Sequence, residues 1–153
     1  MLSALCAPYT KVEESFYMQA IHDILKWGPV NSSFDHLSFP GAVPRSFVGP
    51  LLLAALSYPA TLVVGAGGSG ADGPRIQIVA RLALGCLVAW ANSKLRRQVG
   101  ATFGGVAARW YAIFSMCQFH FTFWTSRMLG NTLALVPMLL AQTLWLRCLT
   151  ADS

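Results

Sequence analysis

The stretch Leu129–Leu146, LGNTLALVPMLLAQTLWL, contains no charged residue. It comes close to the ~20 apolar residues that a helix needs to cross a ~30 Å hydrocarbon core. Three further apolar runs precede it: Phe47–Val64, Ile76–Trp90 and Val106–Trp124. Ile76–Trp90 holds Arg81 near one end, where a long side chain is expected to snorkel to the interface. Val106–Trp124 has Arg109 early and His120 late. These two runs and Leu129–Leu146 are expected to span a bilayer, with Pro137 as a kink point in the last. Phe47–Val64 contains Pro50 and Pro59, which suit a re-entrant or interfacial segment as well as a crossing one. The pattern predicts an all-α polytopic membrane protein whose apolar segments, 47–64, 76–90, 106–124 and 129–146, lie in a membrane region 47–153.

Composition points the same way. Of 153 residues, 55% are hydrophobic and 11% charged, against roughly 25% charged in a soluble domain. That excludes an ordinary water-exposed globule, and disorder, which needs low hydrophobicity and high charge. The formal charge is +5, but it is unevenly spread. Met1–Arg45 holds Glu13, Glu14, Asp23 and Asp35 against Lys11, Lys26 and Arg45, whereas the remainder has only Asp72 and Asp152 as acids. The basic residues are scattered among apolar runs and line no polar helix, so no nucleic-acid partner is expected. Only Lys94, Arg96 and Arg97 cluster, as a membrane topology signal does. Cys6, Cys86, Cys117 and Cys148 form no C-x-x-C pair and the histidines no H-x-x-x-H pair, so no metal site is expected. Gly65–Gly70, GAGGSG, formally matches G-x-G-x-x-G, but no βαβ unit surrounds it and it is read as a connector.

The acid-bearing beginning has its own organisation. Met1–Pro8 is too short for a signal peptide or a span, and residues 1–8 are expected to be the stump of a first membrane helix. Residues 9–46 form a polar, aromatic loop segment. Within it, Val12–Trp27 places Phe16, Ala20, Ile21, Ile24 and Leu25 on an apolar stripe, with Glu13, Asp23 and Lys26 elsewhere. Gly28-Pro29 ends that amphipathic helix, and Asn31–Arg45, braced by Pro40, Gly41 and Pro44, is a loop. Asn31-Ser32-Ser33 is a glycosylation sequon whose simpler reading is a turn. If this segment is non-cytosolic and 47–64 only dips into the bilayer, Lys94–Arg97 falls on the cytosolic side. That arrangement is preferred because it satisfies the positive-inside tendency.

Three stretches carry candidate chemistry. Glu13 and Glu14 open a helix, where acids favour the macrodipole; at a membrane edge they also suit general-base work on a sugar hydroxyl. Asp35, His36 and Arg45 lie in the proline-braced loop. Arg45 is either an interfacial anchor or, with its fixed fork of donors, a phosphate contact, and Asp35 and His36 suit sugar hydroxyls. His120, Trp124, Arg127 and Asn131 fall on one face if the chain is helical there. Such an intramembrane polar face marks either a substrate site or hydrogen bonding between helices.

Tyr9–Phe16 (YTKVEESF), Gln19–Asp23 (QAIHD), Asp35-His36, Phe39-Pro40-Gly41 and Val43-Pro44-Arg45 together resemble the first luminal loop of glycosyltransferase family 22. These are the endoplasmic-reticulum mannosyltransferases that use dolichyl phosphate mannose. Gln118-Phe119-His120 with Arg127 and Asn131, and Lys94–Arg97 with Phe103-Gly104, are similar to later motifs of the same family. The resemblance runs from Tyr9 to Arg147 with a break across the glycine-rich loop. It departs at Tyr17, Ser38 and Gly130, where the family pattern has Asn, an acid and Pro. It implies the N-terminal part of a C-type membrane glycosyltransferase in the endoplasmic reticulum membrane, multi-pass, with its site on the luminal face. It further implies dolichyl phosphate mannose as donor, a dolichol-linked oligosaccharide of N-glycan assembly as acceptor, and no cofactor. Glu13 or Glu14 would then be the base, and Arg45 or Arg127 would hold the departing phosphate. Two other readings share these residues, a non-catalytic membrane protein that keeps lipid-linked sugar or partner binding and a GPI-anchor mannosyltransferase. The extended Lys11–Phe16 and Asp35–Arg45 match argues against the last.

Overall fold

The computed structural model describes residues 11–28, 46–65 and 73–151. Asp35, His36, Arg45, the sequon and residues 1–8 lie outside the described residues. Six helices make up the described secondary structure, and no strand occurs among these residues. They are α1 (Val12–Trp27), α2 (Val48–Val64), α3 (Gly73–Phe103), α4 (Gly105–Cys117), α5 (Phe119–Trp124) and α6 (Gly130–Ala151).

Helix α3 organises the rest: α6 packs against it most extensively, then α4 and α2. Its 31 residues make it about 46 Å long at ~1.5 Å per residue. The 22 residues of α6 extend about 33 Å. Both are long and apolar enough to cross a membrane, and α6 continues through Pro137. Helix α2, with 17 residues, is nearer 25 Å. Pro50 sits in its first turn, where a backbone N–H would have no helical acceptor anyway. Pro59 is interior.

The shared core is formed by Ile21, Leu53, Leu84, Val88, Ala91, Met128 and Leu139. Large apolar side chains also cover the outside, including Leu52, Leu62, Val63, Leu144 and Trp145. A lipid-facing surface gains from such residues, whereas a water-facing one rarely carries contiguous apolar patches of this extent. Lys94 lies toward the far end of α3 with its ammonium 5.5 Å from the Trp90 ring centroid, an arrangement suited to an interface.

The expected single span Val106–Trp124 is two helices. Gly104, at φ 90°, reverses the chain so that α4 runs back along α3, and Tyr111 Oη donates to Asn92 Oδ1 at 2.6 Å. Gln118 is extended (φ −73°, ψ 106°) and separates α4 from α5. A second interruption, after Trp124, releases carbonyls that other elements take up: Thr132 Oγ1 donates to Trp124 O at 3.2 Å and Arg81 Nε to Ser126 O at 3.1 Å. Tertiary partners thus satisfy backbone groups that an unbroken helix would have paired internally.

The inward face of α1 differs from the expected stripe. Ala20, Ile21 and Ile24 are buried, but so are Glu14 and Met18, which with Ile21 share one face at i, i+4 and i+7. Asp23, expected off the buried face, is only 4% exposed. Arg81, expected at the interface, is fully buried at 0%. Burial of Arg81 is made tolerable by a carbonyl brought in from distant sequence, that of Ser126, whereas Asp23 Oδ1 lies 3.7 Å from Nδ1 of its neighbour His22.

Gly49 of α2 marks a three-helix contact. A Cβ there would lie 2.7 Å from Leu133 Cδ1 of α6 and 3.1 Å from Tyr17 Cε1 of α1. Gly49→Val is expected to destabilise the bundle by about 1–3 kcal/mol through overpacking. Thermal unfolding in detergent, followed by helical circular dichroism, measures this; an unchanged midpoint would contradict the close approach. Tyr17 also meets Gly130, where a Cβ would lie 3.3 Å from its hydroxyl. Tyr17 and Gly130 are therefore neighbours, the large side chain fitting beside the smallest residue.

Candidate active site beside the first helix

Glu13 and Glu14 are adjacent in sequence and separate in environment. Neighbouring residues on a helix point about 100° apart, so when Glu14 faces inward Glu13 turns away. Glu14 is completely buried, and its Oε1 accepts from Arg127 Nη1 at 3.0 Å. Glu13 is exposed. The two carboxylates thus differ in exposure, Glu14 enclosed and Glu13 at the surface.

Arg127 reaches Glu14 from the turn between α5 and α6 and is 3% exposed. Its guanidinium carbon lies 4.6 Å from the Phe123 ring centroid, a contact that favours the planar cation. Arg81 lies close enough for its charge to interact with both Arg127 and Glu14, so it adds a cation near the buried carboxylate. Glu14 Oε2 makes no hydrogen bond among the described residues and sits within the field of both guanidinium groups. Such a pair is costly to bury and costlier to break.

The expected row His120, Trp124, Arg127, Asn131 does not form one face. With the helix ending at Trp124 and restarting at Gly130, Arg127 turns inward to Glu14. His120 and Asn131 are exposed and instead line an open groove of about 470 Å³ with Gln118, Trp124, Thr125 and Leu135. The groove reaches α1 through Trp124, whose ring centroid lies 4.8 Å from Lys11 Nζ. Lys11 is exposed and stands two residues before Glu13. The structure therefore brings the start of α1 to the groove that holds His120 and Asn131, and keeps Arg127 apart from it.

Two of these residues carry little signal in the sequence. Lys11 stands in the sequence as one residue of a motif, because a lone surface lysine carries no pattern of its own. The sequence places Arg81 at the interface, because nothing local shows that Ser126 arrives beside it from 45 residues away.

A helical bundle with apolar surroundings, an exposed carboxylate at one helix start and a groove of hydrogen-bonding groups reached from the same helix start by Lys11 suits transfer chemistry on a polar substrate at a membrane surface. Over residues 1–153 the chain matches the Alg9-like mannosyltransferase family, and it belongs to that family. It is 39% identical over 143 residues to the Dol-P-Man:Man(7)GlcNAc(2)-PP-Dol alpha-1,6-mannosyltransferase of Arabidopsis thaliana, covering 92% of this chain and 28% of that protein. The protein of the same name in Drosophila melanogaster is 39% identical over 140 residues, covering 92% of this chain and 20% of that one. The Saccharomyces cerevisiae protein of that name is 33% identical over 155 residues, covering 86% and 28%. The chain spans about a quarter of the length of these curated relatives. No solved structure matches it.

Proposed function

We propose that this chain forms part of a mannosyltransferase that moves mannose from dolichyl phosphate mannose to the seven-mannose dolichol-linked oligosaccharide, making an α-1,6 bond. The observation that carries the reading is that Lys11, two residues before the exposed Glu13, meets Trp124 of the groove that holds His120 and Asn131. The names of the relatives support the choice of donor, acceptor and linkage. The protein lies in the endoplasmic reticulum membrane as a multi-pass chain, with this site on the luminal face and no cofactor.

In this reading Glu13 is the general base. It takes the proton of the acceptor's 6-hydroxyl as that oxygen attacks the anomeric carbon, and the bond to the dolichyl phosphate oxygen breaks with inversion. Glu14 is unsuited to that step, since a base must come within hydrogen-bond reach of the proton it removes and Glu14 is enclosed against Arg127. His120 and Asn131 hold sugar hydroxyls, and Asp35 and His36 are assigned the same role from the loop motif. Arg127, occupied with Glu14, is a less suitable phosphate contact than Lys11, the exposed cation at the groove; Arg45 shares that role from the motif. Cationic contacts assist because the phosphate gains charge as it leaves.

The test joins this chain to the remaining length of the Arabidopsis thaliana relative and assays microsomes with labelled dolichyl phosphate mannose and the seven-mannose acceptor. The expected result is an eight-mannose product whose new mannose is released by an α-1,6-specific mannosidase. A hybrid that accumulates in the membrane and transfers nothing, beside an active parent relative, would overturn the reading.

A further inference from the structure

We infer that Arg81 is a positioning residue for the reaction: it holds the turn that fixes the rotation of α1 and thereby the placement of Glu13. The inference rests on the reading of Glu13 as the base.

The argument follows the contacts from α3 outward. Arg81 is fully buried within a helix long enough to span a membrane, where an ionisable residue is expensive and marks function by default. Its Nε donates to the carbonyl of Ser126 at 3.1 Å. One turn along α3, Gly85 comes close beneath the same residue: a Cβ there would stand 3.8 Å from Ser126 Cβ, in ordinary van der Waals contact. The turn between α5 and α6 is thus seated on α3 at two points. Arg127 is the next residue after Ser126, and its guanidinium hydrogen-bonds Glu14 at 3.0 Å. Because Glu14 and Glu13 occupy consecutive positions on a rigid helix, fixing the direction of one fixes the other. Arg81, Ser126, Arg127 and Glu14 therefore form a continuous connection from the membrane helix to the exposed carboxylate.

A base displaced by about 1 Å can lose on the order of 10²-fold in rate, so even slight loosening of this connection has a large effect after substrate is bound. The experiment uses the hybrid enzyme described above with Arg81→Lys, which keeps the charge and loses the planar fork, and with Arg81→Gln. Arg81→Lys is expected to lower kcat on the order of 10-fold while KM for the lipid-linked acceptor stays within about twofold. Arg81→Gln is expected to lower kcat further. Each substitution, combined with Glu13→Gln, should cost nothing beyond Glu13→Gln alone, because a residue acting through Glu13 has nothing left to position. Multiplication of the two losses, or a change confined to KM, would overturn the role of Arg81. Full activity of the Glu13→Gln enzyme would instead overturn the assignment of Glu13. Should Arg81→Gln fail to accumulate, the Arg81→Lys series decides alone.

Discussion

Glu13→Gln is expected to lower mannose transfer about 10²–10⁴-fold, the range over which a positioned general base acts. The amide keeps the size and much of the hydrogen bonding of the carboxylate but does not accept the hydroxyl proton. Since the side chain is exposed and outside the buried pair, the helix should stay folded and the acceptor KM should change little. The loss therefore belongs to kcat, measured as initial rates of labelled mannose transfer in microsomes at saturating acceptor. Glu13→Asp tests the same point by distance, retaining the chemistry on a side chain one methylene shorter. A Glu13→Gln enzyme with the parent kcat would remove Glu13 from the chemistry.

Arg127→Met is expected to have the largest effect on stability, about 3–5 kcal/mol, because it removes one partner from a buried ion pair and leaves the other charge enclosed. Glu14 is completely buried and its hydrogen bond to Arg127 is charge-assisted on both sides. With the guanidinium gone, the carboxylate either stays ionised beside Arg81 alone or takes up a proton, and both cost folding energy. Replacing the two together, Glu14→Leu with Arg127→Met, should recover most of the loss, since an apolar pair of similar volume avoids the desolvation cost. Thermal unfolding in detergent of parent, single and double variants gives the comparison as a double-mutant cycle. Equal stability of parent and Arg127→Met would show that the pair contributes nothing to the fold.

The sequence and the structure divide the explanation at identifiable residues. The run Leu129–Leu146 and the low content of charge were enough to predict helices suited to a membrane, because apolar length is a local property that tertiary contacts do not alter. Val12–Trp27 was legible for the same kind of reason: helical spacing of apolar residues, acids in the first turn and a Gly-Pro stop are all nearest-neighbour signals. The break at Gln118 was not legible. The run FHFTFW carries no proline or glycine, and at the second break, after Trp124, the carbonyls of Trp124 and Ser126 are met by donors that no local pattern announces, Thr132 and Arg81.

By itself, then, the sequence determined an all-α, membrane-suited chain with its acids gathered near the start, and it picked out Glu13 and Glu14 as a pair without separating them. The tertiary structure alone decided which of the two is buried and which is exposed. The partner of Glu14 lies 113 residues away, and no local pattern encodes a contact made across that distance. Burial of Arg81 was decided in the same way. A charge is stable inside only when opposite charges and carbonyls meet it there, and the folding of α1, α3 and the turn before α6 onto one another brings those groups together.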